Sequence, residues 1–327
     1  MPSVHKGFSV ITSFHSHIEK VARAVESGVA GARSRIAASW VRSQRKHGLD
    51  PSRQTLPEYL TDDEVERRRQ ELGRVAAIAE SKLDQLFSLV GNSGCCVLLT
   101  DRQGMVIDHR FQQADAPVFQ EWGLGAGADW SEAAQGTNGI GTCLTEQREL
   151  IVHRDQHFMA SNIGMSCIDA PVFGPDGEIV AALDVSSARA DQTEAMNGMI
   201  AELVRQAARS IEADTFQDAY SDARVLIVND ASDGVSLLAT NADDIVIGAT
   251  RAARKAFDLK AIGALKPVPL SDLIGRDNAS KGFERAQSAA ITRALVRADH
   301  NVSLAARELG VSRATLYRRM KRFGING

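Results

Sequence analysis

With 327 residues, 44% of them hydrophobic, and a formal net charge of −3 at pH 7, the chain is long enough for two or three domains with ordinary cores. No apolar run approaches the about 18 residues of a membrane span, and the start MPSVHKGFSVITSFHSHIEK lacks the unbroken apolar centre of a signal peptide. Neither membrane insertion nor secretion is therefore expected; in a reducing cytoplasm the four cysteines, Cys95, Cys96, Cys143 and Cys167, without C-x-x-C spacing, read as small buried apolar residues.

Residues 14–47 and 61–90 have helical periodicity and many helix formers, separated by the turn His47-Gly48-Leu49-Asp50-Pro51, so residues 1–74 are expected to form a helical N-terminal arm. From Cys95 the period changes. The run CCVLLT, the turn Asp101-Arg102-Gln103-Gly104 and the run MVIDHR predict a hairpin that opens an α/β sheet. A second hairpin is predicted where Ser166 to Phe173 and Glu178 to Val185 flank Gly174-Pro175-Asp176-Gly177, and a helical stretch from Asp191 to about Tyr220 then leaves the sheet. Helix, antiparallel sheet and helix in that order resemble a GAF-like α/β domain, assigned to residues 75–220, whose terminal helices run side by side. Within residues 221–275, VLIVND, Asp233-Gly234, VSLLAT and IVIGATRAARKAF resemble a short PAS-like α/β segment with a hairpin leading to a helix.

The middle of the chain offers several groups to a ligand. The glycines of Gly136-Thr137-Asn138-Gly139-Ile140-Gly141 permit tight turns at a helix start, where amides can hold a ligand oxygen, though the run also reads as a plain strand-to-helix connection. His153 and His157, four apart, would share one helical face and hold a metal with a third ligand from Cys167, Asp169, Cys143 or Asp184. Yet His153 ends the strand-like run LIVH, so contact with an organic ligand and satisfied structural histidines stay open as readings. Asp169 and Asp184 fall in strands where an apolar residue is normal; facing out they are solvated, and facing in they need a partner and mark a pocket. An aromatic wall, backbone amides and convergent polar groups are the make-up of a small-ligand pocket, which gives Trp130, Thr137, Asn138, His153, His157, Cys167 and Asp169 as candidate effector contacts. Nothing flanking the adjacent Cys95 and Cys96 lowers a thiol pKa, so thiol catalysis is not expected, and no cofactor is assigned.

The C-terminal run HNVSLAARELGVSRATLYRRMKRF, residues 300–323, reads as two short helices joined by a tight turn. Ser303 is placed to cap the first, Gly310 to end it, and Ser312 to cap a second helix running to Phe323. Ala305, Ala306, Leu309, Val311, Leu316, Met320 and Phe323 form the apolar side, which leaves Arg313, Thr315, Tyr317, Arg318, Arg319, Lys321 and Arg322 largely outside. From Lys281 to Gly327 ten Lys or Arg face three Asp or Glu, a balance of +7, so the first 280 residues carry −10 to give the total of −3. Positive charge gathered at one end of an acidic chain, on one face, is what phosphate binding requires.

Residues 289–325 resemble the Fis-type helix-turn-helix of bacterial transcription activators. That resemblance implies that Ser312, Arg313, Thr315, Tyr317 and Arg318 face the major groove and that Asn301 and Ser303 lie beside phosphates, with Arg319 and Arg322 adding charge. Ser34-Arg35-Ile36 to Ser39-Trp40, Gly48-Leu49-Asp50-Pro51, Trp130-Ser131-Glu132, Gly136 to Thr142, Val152-His153, His157-Phe158, Cys167-Ile168-Asp169-Ala170-Pro171 and Leu183-Asp184-Val185-Ser186-Ser187 resemble regulators of the acetoin-catabolism activator family. One departure stands out. Members of that family carry an ATPase module with a phosphate loop G-x-x-x-x-G-K-[ST]; here Gly136 and Gly141 have the glycine spacing, but Thr142-Cys143 follows and no lysine reaches a phosphate. The resemblance implies an α/β multidomain homodimer on a palindromic DNA operator, answering a small-molecule effector such as an alcohol, a diol or acetoin, and acting on RNA polymerase or a partner activator. A metal- or iron-based gas sensor, a thiol enzyme and an architectural DNA-bending protein are the alternatives.

Overall fold

The structure, a computed structural model, describes residues 4–27, 29–53, 56–228, 234–274 and 282–325. The chain divides at Leu273 and Ile274 into two units, each with a core of its own.

The first unit opens with helices α1 (Val4–Glu26), α2 (Ala30–Arg33) and α3 (Arg35–Val41), the last running into a π-helical turn at Arg42–Lys46, followed by α4 (Asp62–Leu72) and α5 (Arg74–Val90). The helical stretches expected over 14–47 and 61–90 are thus each divided into more than one helix. Ser34 is extended and its hydroxyl accepts the amide of Ala37, starting α3 afresh, while Gly73 at φ +56 separates α4 from α5. Thr61 and Glu64 begin α4 with a reciprocal capping box. Nor do the first helices stand apart as an arm. Val21 and Val25 of α1 and Trp40 of α3 are buried in one cluster with Phe158 and Met159, far along the chain.

The expected hairpins form. Strands β1 (Cys95–Thr100), β2 (Val106–Arg110), β3 (Leu150–His153), β4 (Ser166–Phe173) and β5 (Ile179–Ser187) make an antiparallel sheet in the order β2-β1-β5-β4-β3. Helices α6 (Ala116–Glu121), α7 (Glu132–Gln135) and α8 (Gly139–Glu146) fall between β2 and β3, and α9 (Glu194–Ala219) follows β5. Side chains alternate across a strand, so Val97 and Leu99 of β1 meet Leu83 and Leu86 of α5 and Val204 and Ile211 of α9, which run side by side on that face. Cys96 and Leu98 point the other way, into a second core with Phe119, Leu124, Trp130, Ile140 and Met165. Burial on both faces explains why CCVLLT is a continuous apolar run.

Beyond α9, strands β6 (Arg224–Ile227), β7 (Leu237–Thr240), β8 (Ile245–Ala249) and β9 (Val268–Pro269) form a smaller four-stranded sheet with helices α10 (Arg251–Ala256) and α11 (Leu270–Leu273). The β7–β8 hairpin leads into α10 as the sequence predicts; Asn229, Asp230 and Asp233 of that segment, and Lys281, lie outside the described residues. The end of α9 belongs to this sheet's core, where Phe216 packs with Leu237 and Ala239 and the ring of Tyr220 takes the space beside Gly248.

The second unit consists of α12 (Gly282–Arg297), α13 (Val302–Glu308) and α14 (Arg313–Phe323), closed around Ile291, Leu295, Ala305, Ala306, Leu316 and Met320. Every residue assigned to the apolar side lies in this cluster or packs against it. The first cap differs. Asn301, two residues before the expected Ser303, accepts from the amides of Ser303 and Leu304 at 3.0 and 3.2 Å, so Ser303 sits inside the first turn as a capped residue. Ser312 caps α14 as expected, accepting the amide of Thr315 at 3.1 Å, and Gly310 at φ +63 makes the turn.

Candidate functional site

On α14 the buried Leu316 and Met320 fix which side is inside, and Arg313, Ala314, Tyr317, Arg318 and Lys321 form the exposed face at spacings of three and four. The helix carries five Lys or Arg and no Asp or Glu. The guanidinium of Arg313 lies 5.6 Å from the centre of the Tyr317 ring and 3.5 Å from its hydroxyl, so the two side chains are ordered as a pair at the helix's N-terminal end. Ser312 and Thr315 join hydroxyls at 2.8 Å within the cap. Arg319 is half-buried, and Arg322 forms an ion pair with Glu284 of α12, which sets it apart from the unpaired cations of the face. Asn301 and Ser303 are exposed at the start of α13.

Inside the first unit, the seven candidate effector contacts are mostly buried and already engaged. Trp130 is sealed in the second core and donates its indole N–H to the Gly123 carbonyl at 2.9 Å. The Thr137 hydroxyl is 2.7 Å from that of Ser39, and Asn138 is the N-cap of α8, accepting the Gly141 amide at 2.8 Å and donating to the Gly136 carbonyl at 2.9 Å. The glycines serve close approach: a Cβ at Gly139 would stand 1.9 Å from Asp169 Oδ2, and one at Gly141 2.2 Å from the Glu132 amide nitrogen.

The two histidines occupy different elements. His153 ends β3, its Nδ1 2.6 Å from Ser166 Oγ and 3.0 Å from Asn197 Nδ2, whereas His157 follows a turn and is fully buried. Burial pushes the pKa of His157 down to about 4, so the ring is neutral. Its Nδ1 lies 2.9 Å from the Arg154 carbonyl, an acceptor only, so Nδ1 carries the proton and Nε2 accepts from the Cys167 thiol at 3.3 Å. Burial also pushes that thiol well above its usual range, so the pair is a neutral contact rather than a reactive thiolate. Among the described residues no group of three His, Cys, Asp or Glu side chains is placed to hold a metal, and the shared helical face that a metal needed at His153 and His157 does not exist.

Asp169 and Asp184 face each other across the β4–β5 register and are both buried, turned inward rather than solvated. Ser186 Oγ lies 2.8 and 3.1 Å from the oxygens of Asp184, whereas Asp169 has the Asp184 carboxyl opposite it and no other hydrogen-bond partner among the described residues. Burial pushes Asp184 up to about 7, and burial together with the neighbouring Asp184 lifts Asp169 well above the carboxylate range. Both shifts favour the protonated form of the pair.

The family model of the GAF domain matches residues 75–212, and that of the Fis family of bacterial regulatory proteins matches residues 283–323. The chain therefore carries a GAF domain followed by a Fis-type helix-turn-helix. It is 31% identical over 246 residues to the acetoin catabolism regulatory protein of Cupriavidus necator, covering 74% of this chain and 36% of that one. With the acetoin dehydrogenase operon transcriptional activator AcoR of Bacillus subtilis it shares 27% identity over 199 residues, covering 58% and 32%. The match thus spans about a third of each of these curated relatives. The fold is similar to that in the E. coli DhaR(N)-DhaL complex, at a TM-score of 0.51 and 12% identity over 78% of this chain and 86% of that one.

Among the described residues between the GAF domain and the helix-turn-helix the chain holds the small sheet with α10 and α11, and no phosphate loop occurs in its sequence, so an ATPase module does not fit between them. No helix among the described residues is long and apolar enough to cross a membrane. One part of the domain escaped the sequence reading. Glu132, buried beneath the π-helical turn, accepts from Ser39 at 2.9 Å and from the Arg42 guanidinium at 2.7 and 3.0 Å, and Thr137 and Thr142 complete the network around the Ser39 hydroxyl. The motif Trp130-Ser131-Glu132 thus works with Ser39 and Arg42, joining the N-terminal helices to α7 and α8.

Proposed function

We propose that this regulator binds a palindromic DNA site as a homodimer through two copies of α14, in the cytoplasm, and that a small metabolite held inside the GAF domain adjusts the binding. The observation that carries the first part is the acid-free face of Arg313, Tyr317, Arg318 and Lys321 on a helix anchored by Leu316 and Met320. One such helix reaches only a few base pairs, so selective binding calls for two. Arg313, near the N-terminal end, is suited to a guanine edge, a bidentate contact worth about 1 to 3 kcal/mol of discrimination. Arg313→Ala should lose affinity for sites recovered by selection while keeping its affinity for random DNA. Equal loss on both would contradict base reading.

The effector part is supported by the buried carboxyl of Asp169, which lies with Cys167 against Gly139 and has no partner among the described residues other than the Asp184 carboxyl. A carboxyl left so accepts, or when protonated donates, a hydrogen bond with the hydroxyl of an alcohol, a diol or acetoin. An effector acts by preferring one conformation, and α9, which leaves this sheet and ends in the core of the next, is the natural lever. Titration of DNA binding with acetoin and butanediol reads this: Asp169→Asn should keep basal DNA affinity and lose the shift that the effector produces. An unchanged shift would remove Asp169 from the effector site. Without an ATPase module between sensor and DNA-binding unit, the regulator acts on RNA polymerase directly or beside a partner activator.

A further inference from the structure

Two helices of the first unit each present two cations one turn apart: Arg205 and Arg209 on α9, Arg251 and Lys255 at α10. With Arg148, between α8 and β3, they line a cavity of about 610 Å³. It forms where β4 outruns its neighbour. The last β3–β4 pair is Leu150 with Asp169, so Ala170 to Phe173 have an outer edge that β3 leaves uncovered, and Pro171 has no amide with which to recruit another strand. None of Trp130, His157, Cys167 and Asp169 lines this cavity, so it is distinct from the proposed effector site.

The charges do not cancel. Of the lining carboxylates, Glu146 is held by Arg42 at 2.8 Å, and Glu149 is shared between Arg205 at 2.8 Å and Arg209 at 3.9 Å. Glu212 accepts the Phe173 amide at 3.0 Å, and burial pushes its pKa up to about 7. The Arg148 side chain has no hydrogen bond or ion pair among the described residues, and Arg251 lies over the Phe173 ring at 4.1 Å with a single long contact to a carbonyl. Guanidinium groups in excess, on two elements, with an apolar wall of Pro171, Phe173 and Ala208, fit an oxyanion carried on a small organic body, and the volume falls within the about 300 to 1,000 Å³ usual for such sites.

We propose that this cavity is a second ligand site, taking a small metabolite with two or more carboxylate or phosphate groups between α9 and α10. Because α9 ends in the core of the small sheet and α10 packs on it, a ligand held by both would stiffen the joint between the GAF domain and that sheet. Isothermal titration of the full chain with citrate and with pyrophosphate, each against sodium chloride of equal ionic strength, tests it. Saturable binding at one site per chain is expected, and whichever probe binds more tightly assigns the carboxylate or the phosphate source. The double variant Arg148→Ala/Arg251→Ala should weaken that binding by about tenfold or more. Glu149→Gln, which frees Arg209 and leaves Arg205 with Glu202 alone, should tighten it. Absence of saturable binding by both probes, heats that sodium chloride reproduces, or affinities that neither variant moves would overturn the proposal.

Discussion

Asp184→Asn is expected to stabilise the protein strongly near pH 8 and much less near pH 5. The ordinary pKa of such a carboxyl is 3.8, and burial in the folded chain raises that of Asp184 to about 7. Between those values the unfolded chain gives up a proton that the folded chain keeps, so stability falls as pH rises through that window and then levels off. The cost of burying Asp184 is therefore largest above about pH 7, a few kcal/mol at about 1.4 kcal/mol per pKa unit, and smaller near pH 5. Asp169, raised in the same direction, adds to the effect. Asparagine keeps the shape and an oxygen for the Ser186 hydroxyl without the charge. His157 works in the opposite sense: lowered from 6.5 to about 4, it refuses a proton that the unfolded chain takes up, so stability is lost as pH falls through that range. The wild-type profile is therefore flattened, and the difference between variant and wild type removes the His157 part and reads the Asp169–Asp184 pair. Urea denaturation of both at the two pH values checks this; an equal difference at both would mean that the carboxyl is not buried as described.

Gly141→Ala should be among the most damaging small substitutions in the GAF domain. The added methyl would stand 2.2 Å from the Glu132 nitrogen, 2.7 Å from the Ser131 carbonyl carbon and 2.8 Å from the Glu132 Cα, all backbone atoms that cannot rotate away. Helix α8 would have to move off α7, pulling Glu132 from Ser39 and Arg42. Overpacking of this kind costs about 3 kcal/mol or more, which lowers Tm by roughly 6 to 12 °C in a domain of this size. Gly198→Ala is the contrast. It lies in α9 with nothing within 4 Å of the new methyl, so better helix propensity should stabilise by about 0.5 to 1 kcal/mol. Similar melting of the two variants would show that α7 and α8 are not in contact at Gly141.

Local signals carried the sequence reading where they were self-contained. Ser312, Gly310 and the apolar spacing of residues 305 to 323 define α13 and α14 almost to the residue, because caps and periodicity act over three or four positions. Asn301 and Ser303 are both good caps two residues apart, and only the actual start of the helix decides between them. Gly73 and Ser34 break helices whose periodicity continues on either side, so the breaks are faint in sequence. The π-helical turn at Arg42 and the burial of Trp40 depend on Glu132 and Gln156, partners 90 and 116 residues away. The candidate ligand residues differ in how visible they are in sequence. Asn138 stands out as a cap, whereas the buried carboxyl pair of Asp169 and Asp184 becomes visible only once β5 is laid beside β4. The cavity cations come from separate elements, and only the pairs Arg205 and Arg209, and Arg251 and Lys255, four apart, hint at shared faces.

The salt dependence of DNA affinity tests the central claim most directly. If the exposed face of α14 lies on DNA in both subunits, log affinity should fall linearly and steeply with log salt, and each lost phosphate contact should reduce the slope by about 0.9. Lys321→Ala and Arg318→Ala, acting in two copies, should each flatten it by up to about 1.8, whereas Arg322→Ala, already paired with Glu284, should change it less. A slope near zero for the wild type, or one that neither Lys321→Ala nor Arg318→Ala alters, would mean that this face is solvated charge and does not bind DNA.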